Sequence, residues 1–116
     1  MPLQPRNLQA KALSPNEIEI TWSQPEDVDK IISYTLYYNN SDESLIGTHT
    51  IYPPTTKYKL SELIPDTFYN IQLAARSIRG EGARTINVQE RTPEFSKIYI
   101  YVTLLCYDLH VHVYHS

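Results

Sequence analysis

Apolar and polar residues alternate one by one along several short segments of this 116-residue chain. The stretch "EIEITWS" puts Ile18, Ile20 and Trp22 on one side and polar residues on the other. A period of two is the period of a β-strand with one buried face and one face in water. No apolar stripe with helical spacing persists for ten residues. The pattern therefore predicts an all-β fold.

Seven segments carry this alternation, and turn-forming residues separate them. They read "NLQAKAL", "EIEITWS", "IISYTLYYN", "THTIY", "KYKL", "FYNIQLAARS" and "RTINVQE". On their inner sides the alternation places Trp22, Ile32, Tyr34, Leu36, Tyr38, Tyr69, Ile71, Leu73, Ala75, Ile86 and Val88. Seven short strands within about a hundred residues predict a two-sheet antiparallel sandwich with these residues in its core.

Composition excludes several classes of function. The net charge is -3, and the ten Lys and Arg residues are scattered along the chain. A nucleic-acid-binding face would need a basic stripe to neutralise phosphates, so no nucleic-acid partner is expected. No run reaches the roughly 20 apolar residues of a membrane span, and the opening "MPLQPRNLQA" does not resemble a signal peptide. The single cysteine, Cys106, cannot form an internal disulfide.

Residues that could carry catalysis or bind a metal are few. Residues 1–94 contain one histidine, His49, and no cysteine, which leaves little from which to build a nucleophile and its base. His110 and His112 would point the same way in a strand, but a dedicated metal site needs three or four ligands with supporting partners. We therefore expect neither an enzyme nor a cofactor nor a metal site.

Longer stretches of the chain resemble a fibronectin type III domain. These are "LQAKALSPNEIEITWSQPED", "ISYTLYY", "YKLSELIPDTFYNIQLAARSIRGEG" and "VQERTPE". The matching positions are Trp22 of the second strand, Tyr34 and Leu36 of the third, and an L-x-P-x-T-x-Y signature formed by Leu63, Pro65, Thr67 and Tyr69. The resemblance implies a seven-stranded immunoglobulin-like β-sandwich over residues 1–94. It also implies that Tyr69 is a tyrosine-corner residue, whose hydroxyl bonds to backbone a few residues upstream.

The same resemblance implies a non-catalytic protein-interaction or adhesion module. Such modules recur in the cell-surface ectodomains of adhesion and signalling receptors. The strand and loop sequences most resemble those of modules in receptor-type tyrosine phosphatases and axon-guidance receptors. Two alternatives remain open: an intracellular structural repeat of the muscle type, and an accessory domain of a larger enzyme. The expected partners are proteins. The surfaces expected to bind them are the loops 24–30 and 77–84 and the outer strand face that carries Tyr37.

The segment Arg79-Gly80-Glu81 differs by one methylene from the Arg-Gly-Asp tripeptide that integrins bind. The two-point grip of an integrin on the Arg and the carboxylate is sensitive to that spacing. Glycines at Gly80 and Gly82 also suit a tight turn that requires a positive φ. We therefore predict a turn rather than an integrin-binding site.

A possible modification site lies near the end of the third strand. Asn39-Asn40-Ser41 is an N-glycosylation sequon, which predicts a glycan on Asn39 if the domain is exported.

Residues 95–116 form an atypical hydrophobic tail outside the family pattern. The tail is an added edge strand, a disordered and aggregation-prone end, or sequence read past an exon boundary, and its abrupt start favours the last.

Overall fold

The computed structural model describes residues 2–26 and 30–95. Within them the chain forms eight β-strands and no helix. The strands are β1 (Arg6–Ser14), β2 (Glu17–Ser23), β3 (Ser33–Asn40), β4 (Ile46–Ile51), β5 (Lys57–Leu60), β6 (Phe68–Ser77), β7 (Gly80–Glu81) and β8 (Val88–Arg91). The expectations for residues 27–29 of the loop 24–30 and for residues 96–116 of the tail lie outside the described residues.

The strands form two antiparallel sheets that pack as a sandwich. One sheet has the order β1-β2-β5. The other has the order β4-β3-β6-β7, and β8 also pairs with β6. The predicted all-β, immunoglobulin-like sandwich is confirmed.

The strand count differs from the predicted seven because a two-residue strand, β7, forms where only a turn was predicted. The last predicted strand, residues 84–90, is regular only from Val88, as β8, and both β7 and β8 pair with β6. Between them the backbone N–H groups of Gly82 and Thr85 donate to the carbonyls of Ala75 and Leu73, so the segment stays beside β6 without regular pairing. Ile86 lies in this irregular segment and is 81% exposed, so its predicted place in the core is wrong.

The core lies between the sheets and contains the inward side chains of β2, β3 and β6. Its buried members include Ile18, Ile20, Trp22, Tyr34, Leu36, Leu63, Tyr69, Ile71 and Leu73. Tyr38 is partly buried and packs against this cluster. Ile32 is exposed, because it precedes the first residue of β3; its neighbour Ile31 is buried instead. Trp22 and Tyr34 meet edge to face, with ring centroids 5.3 Å apart.

An aromatic stack closes one open side of the sandwich. His49 of β4 lies between Tyr38 of β3 and Tyr58 of β5, at centroid distances of 5.5 Å and 5.0 Å. Gly47 allows this stack, because a Cβ there would lie 2.5 Å from the Tyr38 hydroxyl oxygen. The stack links the edge strands of the two sheets.

Tyr69 joins the start of β6 to the loop that precedes it. Its side chain is fully buried, and its hydroxyl oxygen accepts a hydrogen bond from the Ile64 backbone N–H at 2.7 Å. Thr92 reinforces the same corner: its hydroxyl donates to the Ile64 carbonyl at 2.6 Å and accepts from the Thr67 N–H at 3.1 Å. The end of β8 is thereby attached to the loop before β6.

Candidate protein-contact surface

The outer surface of the three-stranded sheet is a ladder of paired charges. Its outward side chains include Lys11, Glu17, Glu19, Lys57 and Lys59, and we call this surface the charged face. Lys59 lies 3.2 Å from Glu17 and Lys57 lies 3.9 Å from Glu19. The hydrogen bond from Lys59, with a second from Ser14, lowers the pKa of Glu17. Such a face satisfies its own charges while remaining in water.

The outer surface of the five-stranded sheet has a different chemistry. Tyr37 pairs with Thr48 on β4 and with Gln72 on β6, so these side chains share one side of the sheet. We call this surface the amide-rich face; it includes Thr35, Tyr37, Asn39, Ile46, Thr48, Thr50, Phe68, Asn70, Gln72, Arg76, Glu81, Arg84, Asn87, Gln89 and Arg91. Hydroxyls and amides dominate it, and no Lys is among its members.

Tyr37 stands at the centre of the amide-rich face and is held from two sides. Its hydroxyl donates to Oε2 of Glu81 at 2.7 Å. The guanidinium carbon of Arg84 lies 3.5 Å from the centroid of its ring, a cation–π contact. The hydrogen bond to Glu81, followed by burial, raises the pKa of Tyr37, while Arg84 opposes the rise. The ring is therefore fixed as a partly buried, neutral platform.

The turn between β6 and β7 carries the Arg-Gly-Glu segment. Gly80 has a φ of 117°, which favours glycine, as expected of the turn. Gly82 is required for a different reason: a Cβ there would lie 2.2 Å from the Pro2 carbonyl oxygen. Glu81 is half-buried, and its carboxylate accepts a hydrogen bond from the Tyr37 hydroxyl. Its carboxylate therefore faces the sheet, and Arg79 lies exposed at the turn.

A chain of amide hydrogen bonds crosses the same face and ends at Asn39, the penultimate residue of β3. Asn87 and Gln89 donate to Oδ1 of Asn70, at 2.9 Å and 3.3 Å. The Asn70 amide in turn donates to Oδ1 of Asn39 at 3.0 Å. Asn39 is partly buried. The sequon asparagine is thus part of the candidate surface rather than a separate feature of a loop.

The described residues contain no cluster of three or more His, Cys, Asp or Glu side chains placed to hold a metal ion. Across the same ranges, 2–26 and 30–95, no helix is long and apolar enough to cross a membrane.

Arg84 and the amide chain were not singled out from the sequence. Arg84 lies at the end of the predicted contact loop 77–84, but only the fold places its guanidinium over Tyr37. A usable signal did exist for the amides. The alternation in β6 that buries Ile71 and Leu73 places Asn70 and Gln72 on the opposite side, beside Tyr37 once β3 and β6 pair.

Comparison with protein families identifies the chain. Residues 3–91 match the profile of the fibronectin type III domain. The chain belongs to the fibronectin type III family. The expected resemblance is therefore confirmed. The hydrogen bond from the Ile64 backbone N–H to the Tyr69 hydroxyl lies within the matched residues. A fibronectin type III domain is a non-catalytic module.

Similar curated proteins are receptor-type tyrosine phosphatases. The chain is 37% identical over 94 residues to mouse receptor-type tyrosine-protein phosphatase F. The aligned residues make up 81% of this chain and 5% of that protein. It is 35% identical over 96 residues to tyrosine-protein phosphatase Lar of Drosophila melanogaster, covering 82% and 5%. The chain thus spans about one twentieth of the length of these relatives.

Solved structures show the same fold. The FN5 domain of Drosophila Lar aligns with a TM-score of 0.66 at 25% identity, over 80% of this chain and 98% of that one. The FN1-FN3 domains of chicken CNTN1 align with a TM-score of 0.74 at 22% identity, over 81% of this chain and 32% of that one.

Proposed function

We propose that this fibronectin type III domain is a non-catalytic protein-contact module on the cell-surface side of a receptor, and that it binds its partner through the amide-rich face. The receptor placement is supported by the receptor-type phosphatases that the chain resembles. They also favour an accessory module of a larger receptor enzyme over an intracellular muscle-type repeat. Adhesion or signalling is the role that such a placement supports.

The contrast between the two outer faces carries this proposal. Lys and Glu are depleted in protein interfaces, whereas Tyr and Arg are enriched and supply many of the residues that dominate binding energy. The charged face is built from Lys and Glu. The amide-rich face has Tyr37 under Arg84 at its centre, with neutral hydroxyls and amides around it. It is the surface whose composition resembles an interface.

Charge indicates the chemistry of the partner. The charged members of the amide-rich face are Arg76, Glu81, Arg84 and Arg91. The Glu81 carboxylate is already bonded to Tyr37, and Arg91 is already paired with Asp66. Arg76 and Arg84 are exposed residues. We therefore expect a protein partner that presents carboxylates to this face, and binding that weakens as the salt concentration rises.

The test is a cell-binding assay with matched variants on the two faces. The chain, exported from mammalian cells as S41A to remove the sequon, is displayed as a tetramer and applied to a panel of adherent cell lines. Tyr37→Ala and Arg84→Ala should each weaken binding by about 2 kcal/mol, roughly 30-fold. The controls Lys57→Ala and Lys59→Ala on the charged face should leave it unchanged. Equal losses on both faces, or no binding to any line, would contradict the proposal.

A further inference from the structure

A pocket of about 340 Å³ opens on the amide-rich face beside Asn39. Its volume lies within the range of small-ligand sites, roughly 300–1,000 Å³. Its walls include Ile46, Thr48, Gln72, Arg84 and Asn87. Amides, a hydroxyl and a guanidinium offer both hydrogen-bond donors and acceptors, and Ile46 adds an apolar contact. That combination suits an N-acetylated sugar, which has hydroxyls, an amide and a methyl group.

Asn39 lies in the wall of this pocket. Its Oδ1 accepts a hydrogen bond from the Asn70 amide at 3.0 Å, which holds the side chain in place from the β6 side. Ile46 pairs with Asn39 on β4 and forms the pocket wall on that side. The residue that would carry a glycan therefore lies at the pocket.

The other two sequon residues have separable roles. Asn40 is buried and closes the turn after β3: its Oδ1 accepts from the Leu45 N–H at 3.0 Å, and its Nδ2 donates to the Ser44 hydroxyl at 2.8 Å. Ser41 is exposed, and its backbone N–H donates to the Phe68 carbonyl at 3.0 Å. Ser41→Ala therefore removes the sequon while keeping the Asn39 amide, the turn and that backbone hydrogen bond.

We propose that Asn39 carries an N-linked glycan whose first N-acetylglucosamine occupies this pocket, and that the glycan covers Tyr37 and blocks partner binding to the amide-rich face. The second part rests on the function proposed above. In the transfer, Nδ2 bonds to the anomeric carbon of a sugar donated by an oligosaccharide diphosphate. The bond from that carbon to the diphosphate oxygen breaks, the diphosphate leaves with the electron pair, and Nδ2 loses one proton to a base. Glycosylated and unglycosylated chains then differ in binding through this face.

The first test needs no partner. The full chain is exported, with an added signal sequence, from cells that make only oligomannose glycans, and its intact mass is measured before and after peptide N-glycosidase treatment. We expect glycan mass on the wild type and none on S41A. A positive control is E94N in the S41A background, which creates an Asn-Phe-Ser sequon at an exposed position. An unmodified wild type beside a modified E94N control would overturn the proposal.

The second test locates the first sugar. Endoglycosidase trimming leaves one N-acetylglucosamine on Asn39, and NMR then compares the side-chain amide signals of Gln72 and Asn87 with those of S41A. Both signals should shift, whereas the side-chain amide signal of Gln9, which lies on β1 in the other sheet and outside the pocket, should not. Unchanged Gln72 and Asn87 signals on the singly glycosylated chain would overturn the pocket assignment.

The third test separates this proposal from the proposed function. Glycosylated wild type should bind cells at least tenfold more weakly than S41A. Equal binding by the glycosylated wild type and S41A would overturn the claim that the glycan blocks binding to the amide-rich face. Failure of S41A to bind any cell would instead contradict the proposed function, and the mass and NMR results would still decide whether the glycan is present and where its first sugar lies.

Discussion

Replacing Tyr69 with Phe removes one hydroxyl from a side chain that is 0% exposed. That oxygen accepts the Ile64 N–H at 2.7 Å, so the variant leaves a backbone donor without its acceptor. Such a loss costs about 1–3 kcal/mol. Because each kcal/mol shifts the melting temperature of a domain this small by roughly 4–8 °C, we expect Y69F to melt about 10 °C lower.

Tyr34 provides a matched control within the same core. It is also 0% exposed, but its hydroxyl, like Nε1 of Trp22, makes no hydrogen bond within the described residues. The two rings meet edge to face, and neither polar group reaches hydrogen-bond geometry within the described residues. Burial raises the pKa of Tyr34, and Trp22 offsets part of the rise. Y34F should therefore change the free energy of unfolding by less than about 0.5 kcal/mol, or increase it.

Both variants can be measured by urea and thermal unfolding, with the emission of the buried Trp22 and far-ultraviolet circular dichroism as independent probes. Equal m-values would show that the variants unfold from the same native state. The reasoning fails if Y69F lies within 0.5 kcal/mol of the wild type, or if Y34F costs as much as Y69F.

Two further predictions concern the amide-rich face and the turn between β6 and β7. The pKa of Tyr37 is raised from its ordinary value of 10.0, so its contribution to stability should be present below pH 10 and lost as the pH rises through the folded-state pKa. In Glu81→Gln the Tyr37 signal, followed by NMR on tyrosine-labelled protein, should titrate at lower pH than in the wild type; an unchanged titration would refute this coupling. Gly82→Ala should cost about 1–3 kcal/mol in thermal unfolding, because its Cβ would collide with the Pro2 carbonyl. Wild-type stability of Gly82→Ala would contradict the close approach.

Much of the core was predictable because its strands differ sharply between their two faces. In β2 the alternation separates Ile18, Ile20 and Trp22 from charged neighbours, and in β6 it separates Ile71 and Leu73 from amides. One side of each strand must be buried, so a period of two is enough to assign the inner residues.

The errors fall where the backbone leaves regular pairing. Ile86 matches an alternating pattern, but the chain between β7 and β8 bonds to β6 irregularly, and the side chain turns outwards. Ile32 continues the pattern of β3 backwards past the first paired residue, Ser33. Apolar periodicity carries no information on where pairing begins or where an extra residue is inserted.

The centre of the contact face was predictable only in part. The sequence indicated the strand face carrying Tyr37 and the loop 77–84, which are separate along the chain. Their meeting depends on the pairing of β3 with β6 and on the path of a segment without regular structure. The stacking of Arg84 on Tyr37 and the hydrogen bond from Tyr37 to Glu81 are products of that path.

Site-specific photo-crosslinking tests most directly whether the partner protein binds the amide-rich face. A photoreactive amino acid is placed at Thr35, Thr48 or Gln72 on the amide-rich face, or at Lys11, Glu17 or Lys57 on the charged face, and the S41A tetramer is irradiated on the cells that it binds. The account predicts adducts to one protein from the first three positions and none from the last three. Adducts concentrated at the charged-face positions would contradict it.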